Sequence, residues 1–170
     1  MFASSKEKKD FGEYFTRRHY AHIFAKLLLK SELYFDGNKK FKILDPACGT
    51  GGFLTESFKV LVNNYDSNGT YNDEAKHFLE KECLYGVDIR EDNISRTKLN
   101  MFLVGDGHTN IHKFDSLKAK LKARLKENQF DYMENQFDYI ITNPPYGREK
   151  SKPNPANSTL PERRLHFYVE

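Results

Sequence analysis

The chain has 170 residues, enough for one domain with a real core, with 38% hydrophobic and 30% charged residues and a net charge of +3. No apolar run is long enough to span a membrane, and the polar stretch at residues 4–10 lacks the pattern of a secretory signal. Two cysteines, Cys48 and Cys83, make neither a disulfide framework nor a metal site, so the composition suits a soluble cytoplasmic enzyme domain without a membrane partner.

In chain order, residues 1–16 read as a polar arm. Thr16 is placed to cap a helix on which Tyr20, Ile23, Phe24, Leu27 and Leu28 form one apolar stripe, the ordinary pattern of core packing. A turn at 37–40 leads into a short buried strand at 41–45. Pro46, Ala47, Cys48, Gly49, Thr50, Gly51 and Gly52 follow at once, and then Phe53, Leu54, Ser57, Phe58, Leu61, Val62 and Tyr65 recur at helical spacing. Polar residues 66–70 and the segment after them read as an insertion before a second strand, 84–88, which ends in Asp88.

Residues 91–103 predict a second crossover helix, stopped by Gly105 and Gly107. A third strand spans 110–114, with Asp115 at its end. Leu117, Leu121 and Leu125 mark a further helix crowded by Lys118, Lys120, Lys122, Arg124 and Lys126; a solvated face is the default there, and phosphate contact the alternative. Residues 127–133 and 134–140 are a tandem duplication differing at one position. Only the second copy runs on to Thr142, so it should be the fourth strand and the first copy a linker. Strands alternating with helices imply right-handed crossovers and a mainly parallel α/β sheet.

Two loops carry chemistry. Strand, glycine turn and helix at 41–65 form the nucleotide-binding opening of a doubly wound domain. It is not the dinucleotide fingerprint, because Leu54 stands where the third glycine belongs, and no Lys-Ser/Thr pair makes it a phosphate loop. Asp45, ahead of the turn, suits a ligand with a cationic or hydroxyl-rich portion. The second loop is Asn143-Pro144-Pro145-Tyr146. Its prolines fix φ and remove two donors, so the Asn143 amide oxygen and the Pro144 carbonyl can accept both hydrogens of a planar amino group while Tyr146 offers a stacking face. Arg148, Lys150 and Lys152 follow, where phosphate contact and plain solvation are evenly matched.

Residues 45–53 together with 143–146 resemble S-adenosylmethionine-dependent amino-methyltransferases acting on DNA adenine. Residues 11–17, Gly86 to Ile89 and Asn100 to Leu103 are similar to the modification subunit of type I restriction-modification systems, and the resemblance covers 11–147. It implies an α/β, doubly wound Rossmann-like methyltransferase domain, with residues 1–40 as arm and helix and 41–170 as a partial catalytic domain. It implies S-adenosyl-L-methionine as cofactor, held by Tyr14, Phe15, Thr16, Asp45, Ala47, Gly49, Thr50, Gly51, Asp88 and Asp115. Asn143, Pro144, Pro145 and Tyr146 would grip a flipped adenine. The ribose role of Asp88 also follows from its place at a second strand's end; for Asp115, a helix-capping role is equally open.

The implied partners are double-stranded DNA and the specificity and restriction subunits of the same system. Arg17 departs from the proline usual in the family. Four strands are legible against the family's seven, so the chain is expected to be truncated, weakly active or inactive alone, with its fourth strand a bare edge open to self-association. Two alternatives stand beside this reading. One is a protein-glutamine N5 methyltransferase, which grips an amide with the same four residues. The other is a non-catalytic assembly fragment.

Overall fold

A computed structural model describes residues 16–107, 110–116 and 137–144. The elements run α1 (Arg18–Leu28), β1 (Ile43–Asp45), α2 (Gly52–Ser67), α3 (Asp73–Phe78), a π-helical turn (Leu79–Cys83), β2 (Leu84–Asp88), α4 (Glu91–Leu103), β3 (Ile111–Lys113) and β4 (Tyr139–Ile140). The four strands form one parallel sheet in the order β3-β2-β1-β4. From β1 the chain steps outward to β2 and then β3, and afterwards crosses back to pair β4 on the other side of β1. That reversal makes the gap between β1 and β4 the topological switch point, where doubly wound sheets bind ligands beyond their strands' carboxyl ends.

β1 is buried along its whole length, as a parallel strand covered on both faces must be. It pairs Ile43 with Leu84 and Asp45 with Gly86 on one side, and Ile43 with Tyr139 and Leu44 with Ile140 on the other. An aromatic cluster packs beside the strands' amino ends. Phe35 lies 5.8 Å from Tyr65 and 5.5 Å from Phe78 between ring centroids, and Phe41 meets Phe78 and Tyr139 edge-on. Buried Glu32 anchors β4 from below, accepting from Tyr139 Oη at 2.6 Å and Lys39 Nζ at 2.8 Å. Burial raises the pKa of this carboxyl, but the hydrogen bonds from Lys39, Tyr139 and Ser31 outweigh it and leave the net value below the ordinary one.

Several expectations are revised. Of the α1 stripe only Leu28 packs against the core: Tyr20, Ile23, Phe24 and Leu27 are 50–66% exposed, while Ala21 and Ala25 are fully buried. The small residues win that face because α1 lies close against α2, where a larger side chain would hold the helices apart. Thr16 does not cap α1 either. Arg17 is the N-cap residue, without a side-chain cap, and its φ of −63° is the value a proline would impose.

β1 begins two residues later than expected and β3 spans only its middle three residues, so Asp115 lies two residues past the strand's end. β4 is confined to two residues. α2 continues through Ser67, so residues 66 and 67 are helix and the extra segment starts after it. That segment is α3, capped by Asn72 accepting from Ala75 N–H at 2.8 Å, and the π-helical turn. It accounts for the long interval between the glycine turn and Asp88. The basic helix at 117–126 and the first duplicate lie outside the described residues.

Gly86 marks the tightest crossing of helix and sheet. A Cβ there would sit 2.6 Å from Leu54 Cδ1, 2.9 Å from Ile111 Cδ1 and 3.3 Å from Cys48 Sγ. Both methyl groups belong to side chains no more than 2% exposed, so neither has room to retreat. Gly86→Ala is therefore expected to destabilise the fold by about 1–3 kcal/mol, read as a lower midpoint in denaturant unfolding.

Candidate functional site

The glycine turn sits past the carboxyl end of β1. Gly49 and Gly51 hold φ of 55° and 78°, left-handed values that other residues adopt only at a cost. Around Gly49 no described atom comes within 4 Å of the place a Cβ would occupy, so the turn's upper face is open to a ligand. At Gly51 a Cβ would meet Thr97 Cγ2 at 2.8 Å, because the turn rests directly on α4.

α4 clamps the turn with a polar stripe. Thr97 Oγ1 donates to the Gly49 carbonyl at 2.9 Å, and Asn100 Nδ2 donates to the Thr50 carbonyl at 2.8 Å. One turn earlier, Asn93 Nδ2 donates to Asp88 Oδ1 at 3.2 Å. None of these three stood out as a site residue in the sequence. Their spacing of four and three places them on one helical face, a signal that was there to read.

Asp88 closes β2 and serves as an acceptor hub. Its Oδ2 accepts from Gly49 N–H at 2.9 Å, and its Oδ1 accepts from Arg90 N–H at 2.8 Å as well as from Asn93. The N-cap of α4 is Arg90, two residues past the end of β2. An ionised carboxylate offers about four lone-pair sites, so three internal bonds leave capacity for a ligand hydroxyl. The strand-end register is tied down as well: Phe114 N–H donates to the Asp88 carbonyl at 2.8 Å, and Ser116 Oγ donates to the Pro46 carbonyl. This brings Asp115 to the same end of the sheet.

Asp45 is 1% exposed, and its Oδ1 accepts from Ala47 N–H at 3.2 Å. Burial pushes its pKa up to about 7; the Ala47 bond and the nearby Thr142 hydroxyl oppose that rise, while the charge of Asp88 adds to it. Thr142 Oγ1 is itself buried and completes no well-formed hydrogen bond among the described residues. Cys48 is buried beneath the turn, its N–H donating to the Val87 carbonyl, and burial pushes its thiol far above the ordinary range. A thiol so placed is packing, not a nucleophile.

Asn143 reaches the same rim from β4. Ile141 N–H donates to the Leu44 carbonyl at 3.0 Å, which extends the β1 pairing and sets Asn143 past the strand end. Asn143 Nδ2 donates to Thr16 Oγ1 at 3.1 Å across 127 residues of sequence. Thr16 and Asn143 line one cleft of about 500 Å³ with Tyr20, Phe24, Leu28 and Phe53. The structure thus brings Thr16, Asp45, Ala47, Gly49, Thr50, Gly51, Asp88, Asp115, Asn143 and Pro144 to one edge of the sheet. Tyr14, Phe15, Pro145 and Tyr146 lie outside the described residues.

The chain is similar to known proteins in sequence and fold. The sequence profile of the N-6 DNA Methylase family matches residues 1–166. Type II methyltransferase M.VspI of Vibrio sp. (strain 343) is 33% identical over 154 residues, which are 88% of this chain and 29% of that protein. The type I restriction enzyme MjaVII methylase subunit of Methanocaldococcus jannaschii is 30% identical over 161 residues, 91% of this chain and 22% of that one. A modification subunit of a putative type I restriction enzyme from Vibrio vulnificus YJ016 superposes with a TM-score of 0.56 at 26% identity, covering 83% of this chain and 25% of its own. The chain therefore spans less than a third of the length of the curated relatives it matches. The shared architecture is a Rossmann-like methyltransferase sheet, and with a profile match across nearly its whole length this chain belongs to the N-6 DNA methylase family.

Proposed function

We propose that the chain carries the cofactor-binding and amine-gripping portion of a site-specific DNA adenine-N6 methyltransferase of a restriction-modification system. The observation that carries this reading is the meeting of the glycine turn and Asn143 past the ends of adjacent strands β1 and β4, with Thr16 bonded to Asn143. The rim residues suit S-adenosyl-L-methionine. The open face above Gly49 accepts close approach, the Asp88 carboxylate at the end of β2 suits ribose hydroxyls, and buried Asp45 suits a neighbouring ammonium group. Thr16 and the adjoining Tyr14 and Phe15 would complete the methionine end, and Asp115 the adenine end.

When bound, S-adenosylmethionine supplies an electrophilic methyl group on a sulfonium. The chain's own contribution is to position and polarise the acceptor. Adenine N6 is a poor nucleophile because its lone pair is delocalised into the ring. The Asn143 side-chain oxygen and the Pro144 carbonyl would accept its two hydrogens, favouring a pyramidal nitrogen with the lone pair available. Alignment supplies most of the rate, and no dedicated base is required, since the proton left on N6 is acidic after transfer. Reaching N6 in duplex DNA requires extruding the base, for which Tyr146 would be the stacking surface.

Double-stranded DNA is the proposed substrate. Specificity and restriction subunits are the proposed partners, as befits likeness to a protein named a type I methylase subunit. The relatives' names speak for DNA over a protein glutamine as acceptor.

Calorimetric titration with S-adenosylmethionine is expected to show one site per chain. Asp88→Ala should weaken it by about ten- to a hundred-fold, the loss expected for hydrogen bonds to a charged group. Asn143→Ala should change affinity less than about two-fold while abolishing transfer of labelled methyl to adenine. Equal loss of binding in both variants, or labelled glutamine in place of labelled adenine, would contradict the reading. The pH dependence has a definite sign. Below about pH 7 Asp45 is protonated, and an incoming ammonium group must expel that proton, so affinity should rise with pH up to about 7. The slope should approach ten-fold per unit at most, and Asp45→Asn should flatten it; a wild-type profile without slope between pH 5.5 and 7 would exclude the contact.

A further inference from the structure

The start of α1 and the residue just before its N-cap touch both halves of the site. On one side, Thr16 accepts the Asn143 amide. On the other, Arg18 Nη1 donates to Thr55 Oγ1, and Thr55 Oγ1 donates in turn to the Gly51 carbonyl at 2.9 Å. Thr55 is fully buried, so its hydroxyl has no water to turn to. Arg18 thus stands two hydrogen bonds from the glycine turn and two residues along the backbone from the group that orients Asn143.

Glu56 secures this position. Its carboxylate, only 8% exposed, lies 3.6 Å from Arg18 Nη1, 3.1 Å from His22 Nδ1 and 2.9 Å from Lys59 Nζ. Burial would raise its pKa, but Lys59, His22 and Arg18 outweigh that effect and hold it lowered. Arg18 and His22, both on α1, meet this nearly buried carboxylate of α2 and fix the rotation of the two helices, with Lys59 of α2 steadying the carboxylate and Ala21 and Ala25 permitting close approach. Arg17 holds a proline-like φ without proline's rigidity, so the start of α1 depends on these side-chain ties.

We infer that Arg18 is a positioning residue that couples the two loops: through Thr55 it registers α1 on the glycine turn, and through the two-residue lead-in that begins at Thr16 it orients the Asn143 amide. This deepens the methyl-transfer reading and rests on it for the meaning of Asn143. With Nδ2 committed to Thr16, the amide is turned so that its oxygen, not its nitrogen, serves an amino group. Displacement of Arg18 would change the amide orientation without touching either ligand directly.

The test follows the Asn143 side-chain NH₂ in a proton–nitrogen correlation spectrum of the full chain, assigned by its disappearance in Asn143→Asp. Arg18→Met is expected to shift this pair and to speed its exchange with water about ten-fold, as for loss of a charge-assisted hydrogen bond. Arg18→Lys should restore part of the protection. Thr16→Val should mimic Arg18→Met, and Thr16→Ser should match wild type. In the same samples Arg18→Met should weaken S-adenosylmethionine binding about ten-fold. A wild-type amide signature in Arg18→Met or Thr16→Val overturns the proposal, as does equal disturbance in Thr16→Ser. Should wild type bind no S-adenosylmethionine, the functional reading fails while the amide signals still decide whether Arg18 governs Asn143. A general loss of fold would appear as collapse of the whole spectrum in Arg18→Met, and then Thr16→Val against Thr16→Ser decides.

Discussion

The pairing of β1 with β4 is the constraint on which everything else depends. Two residues of ladder, Ile43 with Tyr139 and Leu44 with Ile140, join segments nearly a hundred positions apart. Because the strands are parallel, both chains leave the sheet at the same edge, and each delivers its loop there. An antiparallel pairing would have sent Asn143 to the opposite rim from Gly49. The ladder is short, and it is reinforced from beneath by the Tyr139–Glu32–Lys39 chain and by Phe41 against Tyr139. Burial on both sides of β1 is what makes that short register specific, since sliding β4 by one residue would exchange its two faces.

The site assembled at that edge is electrostatically unfinished. Asp45 and Asp88 face the same turn, and the charge of one disfavours ionisation of the other. Asp88 accepts three hydrogen bonds, from two backbone N–H groups and Asn93, whereas buried Asp45 has the Ala47 N–H and the nearby Thr142 hydroxyl. On the proposed reading a cationic ligand would relieve the second carboxylate. α4 holds the Gly49 and Thr50 carbonyls with Thr97 and Asn100, so the turn is fixed before any ligand arrives.

Much of this was legible in the residues. Helix 91–103 and strand 84–88 stand where periodicity and turn residues put them, because Gly105 and the apolar run leave few other solutions. The loops of the site were legible for a similar reason, since glycines at positive φ and a double proline are local devices. What escaped was non-local. The apolar stripe of α1 looked like core, yet Ala21 and Ala25 take the packed face, because close approach of two helices rewards small side chains over large ones. Thr16 looked like a cap and instead receives an amide from Asn143, a partner no local pattern reveals. Arg18 and Thr55 are ordinary helix residues by composition, and only tertiary contact singles them out.

The glycine turn and Asn143 are proposed to form one site, in which a cofactor held on the turn lies beside the Asn143 amide. Titration of the chain with S-adenosylhomocysteine, followed by nuclear magnetic resonance, addresses it directly. The backbone amides of Gly49 and Gly51 and the side-chain amide of Asn143 should move together along one saturation curve with one dissociation constant. Movement of the glycine signals with an unmoved Asn143, or two curves with different constants, would show that the two loops serve separate purposes.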